Sequence, residues 1–220
     1  MRKFISTANL KQAVGWAVVI TTMSVGRILQ AGAMPGLQIP AAFLAMIFVC
    51  GAVTAWGTSA GMPGIMTDRK TLVQGTLVTI CLTLIALPIQ LFWIAPFTYK
   101  SLLASAKPSL AALMFPATVG SQIALLLWSV GFQTMFLQSG PMSFFARLVY
   151  RQSIALALCL VFRVYVAHHQ LAGASLAWME PVLFLSPLLA TGAGCLVFAR
   201  FGLAPTILLA LGLNLHLLFR

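Results

Sequence analysis

The chain has 220 residues, 61% of them hydrophobic and only 7% charged, with a mean hydropathy of +1.02. A soluble domain carries about a quarter charged residues, so this composition excludes water as the main solvent and defines a polytopic membrane protein. The net charge of +11 reflects just two acids, Asp68 and Glu180, and bases scattered between apolar runs; they read as topology signals and anionic-lipid contacts, with no nucleic-acid motif.

A hydrocarbon core of about 30 Å takes about 20 apolar residues per helix. Runs bounded by charge, Gly and Pro predict spans near 12–31, 38–57, 71–96, 109–137, 152–169, 179–199 and 202–219, the fifth and seventh being short. No segment is long or polar enough for a soluble domain. Residues 1–220 are therefore expected to form one integral membrane domain, an all-α bundle of about seven transmembrane helices. Ala31-Gly32-Ala33 resembles a signal-peptidase site, but we expect the first span to be retained, with Arg27 snorkelling to the interface.

Orientation follows from Lys and Arg in short connections. Arg2, Lys3 and Lys11 precede the first span, and Arg69-Lys70 lie between the second and third. Arg147 and Arg151 lie between the fourth and fifth, and Arg200 between the sixth and seventh. Lys100 and Lys107 dissent from the other side, while the connection near 170–178 has no base. The balance predicts a cytoplasmic N-terminus. Trp16, Trp56, Trp93, Trp128 and Trp178 include several near span ends, as an aromatic belt requires. Cys50, Cys81, Cys159 and Cys195 each sit in a different apolar run and read as small buried hydrophobes, with no metal or disulfide role.

The stretch 140–152 has its own character. Arg147 and Arg151 are four apart and share a helix face, with Phe144, Phe145 and Leu148 available to lipid. An interfacial helix with its arginines at phosphate level is the expectation.

Just before it, Gln133-Thr134-Met135-Phe136-Leu137-Gln138-Ser139 resembles the Glu-Glu-x-x-x-Arg motif of the CPBP family, the CAAX prenyl proteases and bacteriocin-processing relatives. The resemblance covers roughly residues 120–216. Tyr165-Val166-Ala167-His168-His169 matches the family's second motif through His169, which follows Gln133 by 36 residues. Ser186, Ala190 and Gly194 supply the small-residue helix, and Arg200-Phe201-Gly202-Leu203-Ala204-Pro205 the turn and start of the last core helix. The family's later His and Asn positions are Leu209 and Leu213 here; Asn214 misses by one, and His216 lies beyond. Trp56-Gly57-Thr58-Ser59-Ala60-Gly61-Met62-Pro63-Gly64 also resembles some bacterial relatives.

The resemblance implies a CPBP-like core and a place in the bacterial cytoplasmic membrane. It implies that the first two motifs converge, so Gln133 and His169 are expected on facing helices. It also implies a water-activating glutamate base, which this chain lacks. A glutamine keeps the shape of glutamate but takes no proton near neutral pH. Losing a general base removes a factor of about 10² to 10⁴ in rate, and Thr134 and Gln138 replace the second acid and the Arg.

The remaining polar residues have other readings as well. His168 and His169 are adjacent, about 100° apart on a helix, and poorly placed to share a metal. Glu180, just before Pro181, suits the first turn of a helix and complements its dipole. Arg163 lies midway through the fifth span, where a charge costs at least about 2.5–3.5 kcal/mol, so a polar interior or a partner is expected to shield it, Glu180 among the candidates. The leading expectation is a non-catalytic relative that needs no cofactor or metal. It would serve as a membrane scaffold, assembly partner or substrate-capturing pseudoprotease for another membrane protein. Gln133, Gln138, Arg163, His168, His169 and Asn214 would line its groove. The rivals are an active protease with Glu180 as base, assisted by His168, His169 or His216, and a small-solute transporter subunit.

Overall fold

The computed structural model describes residues 7–30, 34–63, 68–104, 115–171 and 180–219. Among them the chain forms helices and turns and no strand. Helix α1 is Thr7–Gln30 and α2 is Pro35–Ser59. A third column runs through α3 (Arg69–Ile89), a π turn at Gln90–Ile94 and α4 (Ala95–Ala104). The fourth is α5 (Val119–Phe132), a π turn at Gln133–Ser139 and α6 (Gly140–Val149). Then come α7 (Gln152–Leu171), α8 (Glu180–Phe201) and α9 (Leu203–Asn214), which closes in a 3₁₀ turn, Leu215–Leu218.

These seven columns are the seven apolar runs of the sequence, and the chain is an all-α integral membrane protein. Five are long and apolar enough to cross a bilayer, while Leu185–Phe201 and Leu203–Leu218 are shorter apolar stretches. The fourth column is the axis of the bundle, packing on α1, α2, α7, α8 and α9. Within its apolar window 44% of residues are buried, against 6% for the third column, which is the more exposed of the two. Helix α3 packs mainly on α9 and α8. Cys50, Cys159 and Cys195 are buried as expected, but Cys81 is exposed, because it lies on this more exposed column.

The two π turns share one local feature. Ala95 N–H reaches back five residues to the Gln90 carbonyl, and Gly140 N–H reaches back five to that of Met135. Each donor immediately precedes a proline, Pro96 or Pro141. Proline has no N–H and its ring crowds the carbonyl four residues back, while Ala95 and Gly140 themselves keep the α conformation. Widening the turn before it relieves the crowding and lets the helix continue. This corrects two expectations. The fourth span does not end near 137 but runs to Val149, and 140–149 is the last third of that span rather than a separate interfacial helix. Met142, Ser143 and Ala146 are buried in the bundle. Tyr150, at φ 53°, ends the helix, its N–H bonded to the Ala146 carbonyl.

The third column begins at a side-chain cap. The Asp68 carboxylate accepts from Thr71 N–H at 3.1 Å. Hydrogen bonds from Thr71, side chain first and then backbone, hold its pKa below the ordinary 3.8. A lowered folded pKa means that the cap's stabilisation is present above the unfolded value and is lost as pH falls through the folded one. Asp68→Ala should therefore fray the first turn of α3 at neutral pH, measured as faster amide exchange at Thr71 and Leu72. Acidification below the folded pKa should reduce protection at these amides in the unsubstituted protein to that of the variant, each rate being referred to its unstructured value at the same pH.

Candidate functional site: an amide layer at the bundle centre

The π turn of the axial helix places its polar residues in the interior. Thr134, Gln138 and Ser139 are buried, followed one turn on by Ser143. Gln133 is half-buried and faces α9, where Asn214 is buried. The two amides bond reciprocally: Gln133 Nε2 donates to Asn214 Oδ1 at 3.3 Å, and Asn214 Nδ2 donates to Gln133 Oε1 at 3.1 Å. Asn214 Nδ2 also donates to the Ala210 carbonyl at 2.7 Å, which fixes its rotamer. Both of its amide protons are thus used, while Gln133 keeps one proton and an acceptor lone pair beyond the pair.

Helix α8 receives two glutamines on its stripe of small residues. Gln90, the first residue of the other π turn, donates from Nε2 to Ser186 Oγ at 3.0 Å. Gln138 Nε2 donates to the Ala190 carbonyl at 3.4 Å, and Cys195 Sγ lies 3.7 Å from the Gln138 carbonyl. Gly194 completes the seat, since a Cβ there would overlap the Gln138 amide. Ser186, Ala190 and Gly194 are the small residues picked out in the sequence, and the structure supplies what they accommodate. The expected Arg-x-Gly turn is present too: Gly202, at φ 84°, separates α8 from α9.

The remaining candidates are on α7, at the start of α8 and in the closing 3₁₀ turn. His168 and His169 are exposed near the end of α7, the His169 ring 4.4 Å from that of Tyr165 and 6.0 Å from that of His168. The hydrogen bonds of Gln133 go to Asn214. Arg163 is half-buried midway along α7. Glu180 opens α8, as its position before Pro181 suggests, but its side chain and its expected pairing with Arg163 lie outside the described residues. His216 Nδ1 is 2.9 Å from the Leu213 carbonyl, and the ring lines a cavity of about 320 Å³ with Tyr99 and Lys100. No group of three or more His, Cys, Asp or Glu side chains able to hold a metal occurs among the described residues.

Chemically, the centre is a neutral amide and hydroxyl layer. The Thr134, Ser139 and Ser143 hydroxyls and Gln138 Oε1 are buried without a hydrogen-bond partner among the described residues. Such a layer can hold polar groups of a neighbouring helix or water, and none of the four groups is a general base at neutral pH. Gln133 and Asn214 were both expected in one groove, but their reciprocal bonding was not foreseen, because Asn214 falls one residue from the position the resemblance marks. The signal available was that Asn214 is the single Asn or Gln between Gly194 and the end of the chain.

No protein-family model matches the chain, and no curated protein or solved structure shows significant similarity to it.

Proposed function

We propose that the chain is a catalytically degenerate relative of the CPBP intramembrane proteases. It sits in a bacterial cytoplasmic membrane with its N-terminus inside and binds another membrane protein as scaffold, assembly partner or captured substrate. The observation that supports this reading most is the Gln133–Asn214 pair. At the position that resembles a catalytic glutamate, the protein holds an amide locked to a second amide.

A base that must take a proton from water needs a free carboxylate or imidazole. An amide pair instead offers matched donors and acceptors, and Gln133 retains one of each for an incoming helix. In lipid such a bond contributes about 0.6–2 kcal/mol, enough to choose a partner once apolar packing has brought it close. Replacing both amides by leucine removes the recognition while leaving no unpaired polar group. Quantitative co-purification in mild detergent should then show a partner that stays with the unsubstituted protein and is depleted about 3- to 30-fold from Gln133→Leu/Asn214→Leu, the equivalent of that bond energy. An unchanged set of partners would refute the binding role of this pair.

A further inference from the structure

A cleft of about 350 Å³ opens between α2, the axial helix and α7, lined by Phe48, Trp56, Phe136, Phe144, Phe145 and Phe162 together with smaller apolar residues. No side chain that lines it is charged or carries an amide or hydroxyl. The Trp56 and Phe144 rings stand 5.5 Å apart, and those of Phe144 and Phe145 5.4 Å apart. Apart from the Trp56 indole N–H, the side chains of such a wall offer no donor or acceptor with which to orient a peptide backbone, and an unpaired backbone group placed there would be costly.

One end of the cleft differs from the rest. Arg147 lies three residues beyond Phe144, a rise of about 4.5 Å along α6. Its guanidinium is held by a hydrogen bond from Nη1 to the Tyr150 hydroxyl at 2.8 Å and lies 5.6 Å from the centre of the Tyr150 ring. Arg151 follows at the start of the next turn, and both arginines are exposed. The Arg147–Tyr150 contact at the end of α6 thus holds a cationic group about one turn beyond Phe144 of the cleft wall.

An apolar body with a cationic end is complementary to an amphiphile with an anionic head. We propose that the cleft is a binding site for a single anionic phospholipid, an acyl chain lying among the aromatic rings and the phosphate resting on Arg147 and Arg151. A guanidinium meets phosphate oxygens through paired N–H donors, and basic residues next to apolar clefts between membrane helices select anionic headgroups.

Trp56 in the cleft wall reports occupancy. The protein would be reconstituted in vesicles of equal phosphatidylglycerol and phosphatidylcholine, with brominated acyl chains on one lipid or the other. The quenching of Trp56 is taken as the difference between the protein and its Trp56→Phe variant. Bromine on phosphatidylglycerol should quench Trp56 far more than bromine on phosphatidylcholine. Arg147→Gln and Arg151→Gln should each lower that preference about fivefold, the equivalent of about 1 kcal/mol per basic group. Equal quenching by the two lipids in the unsubstituted protein would overturn the proposal, as would a preference that survives both substitutions. Quenching by neither would also overturn it, and would mean that a protein helix fills the cleft.

Discussion

Gly194→Ala should destabilise the bundle by about 1–3 kcal/mol, the usual cost of overpacking a close interior contact. The added methyl would meet the Gln138 amide, which has little freedom to move: Gln138 is fully buried, and its Nε2 bonds to the Ala190 carbonyl of the same helix. If the two side chains compete for one space, shortening the glutamine restores most of the loss. Gly194→Ala/Gln138→Ser should accordingly unfold closer to the unsubstituted protein than Gly194→Ala does. Thermal unfolding in detergent, followed by helix content, checks both. A double variant less stable than the sum of its singles would mean that Gln138 is not what Gly194 accommodates.

Gln133→Leu and Asn214→Leu should each cost about 1–3 kcal/mol, because each leaves the other amide unpaired in a low-dielectric interior. The double variant should recover much of that, since two facing leucines leave nothing unsatisfied. The cycle then yields a coupling of about 0.6–2 kcal/mol, the range for side-chain hydrogen bonds between membrane helices. Steric denaturation or unfolding in mixed micelles gives the four stabilities. Additive losses would show that the reciprocal bonds at 3.3 and 3.1 Å carry no net stabilisation.

The bundle was legible because lipid imposes one rule, a long apolar run between charged connections, and seven such runs became seven columns. The legible part stopped at the prolines. Pro141 reads as a helix end, yet the chain answers it by widening the preceding turn, with Gly140 bonded to the Met135 carbonyl, and α6 continues in the same direction. Nothing in hydropathy distinguishes that response from a break.

The site divides in the same way. Small residues at 186, 190 and 194 announced a close approach, because nothing else explains such spacing in an apolar helix. They did not say that glutamines would fill it, since Gln90 and Gln138 come from columns far apart in sequence. Asn214 was expected in the groove, but its bond to Gln133 was hidden by register: one residue turns a side chain by about 100°, and Asn214 rather than the matched Leu213 reaches Gln133. Arg147 was read at the interface, and it does cap the end of the axial helix, but its clamp on Tyr150 depends on a left-handed residue that no pattern foretells.

In the proposed function an amide takes the place of a working base. Profiling of membrane-protein N-termini tests it most directly, in cells that make the unsubstituted protein, Glu180→Gln, or neither. The same set of N-termini is expected in all three. New N-termini within membrane segments that appear with the unsubstituted protein and vanish with Glu180→Gln would contradict it, because they would place a functioning carboxylate at the start of α8.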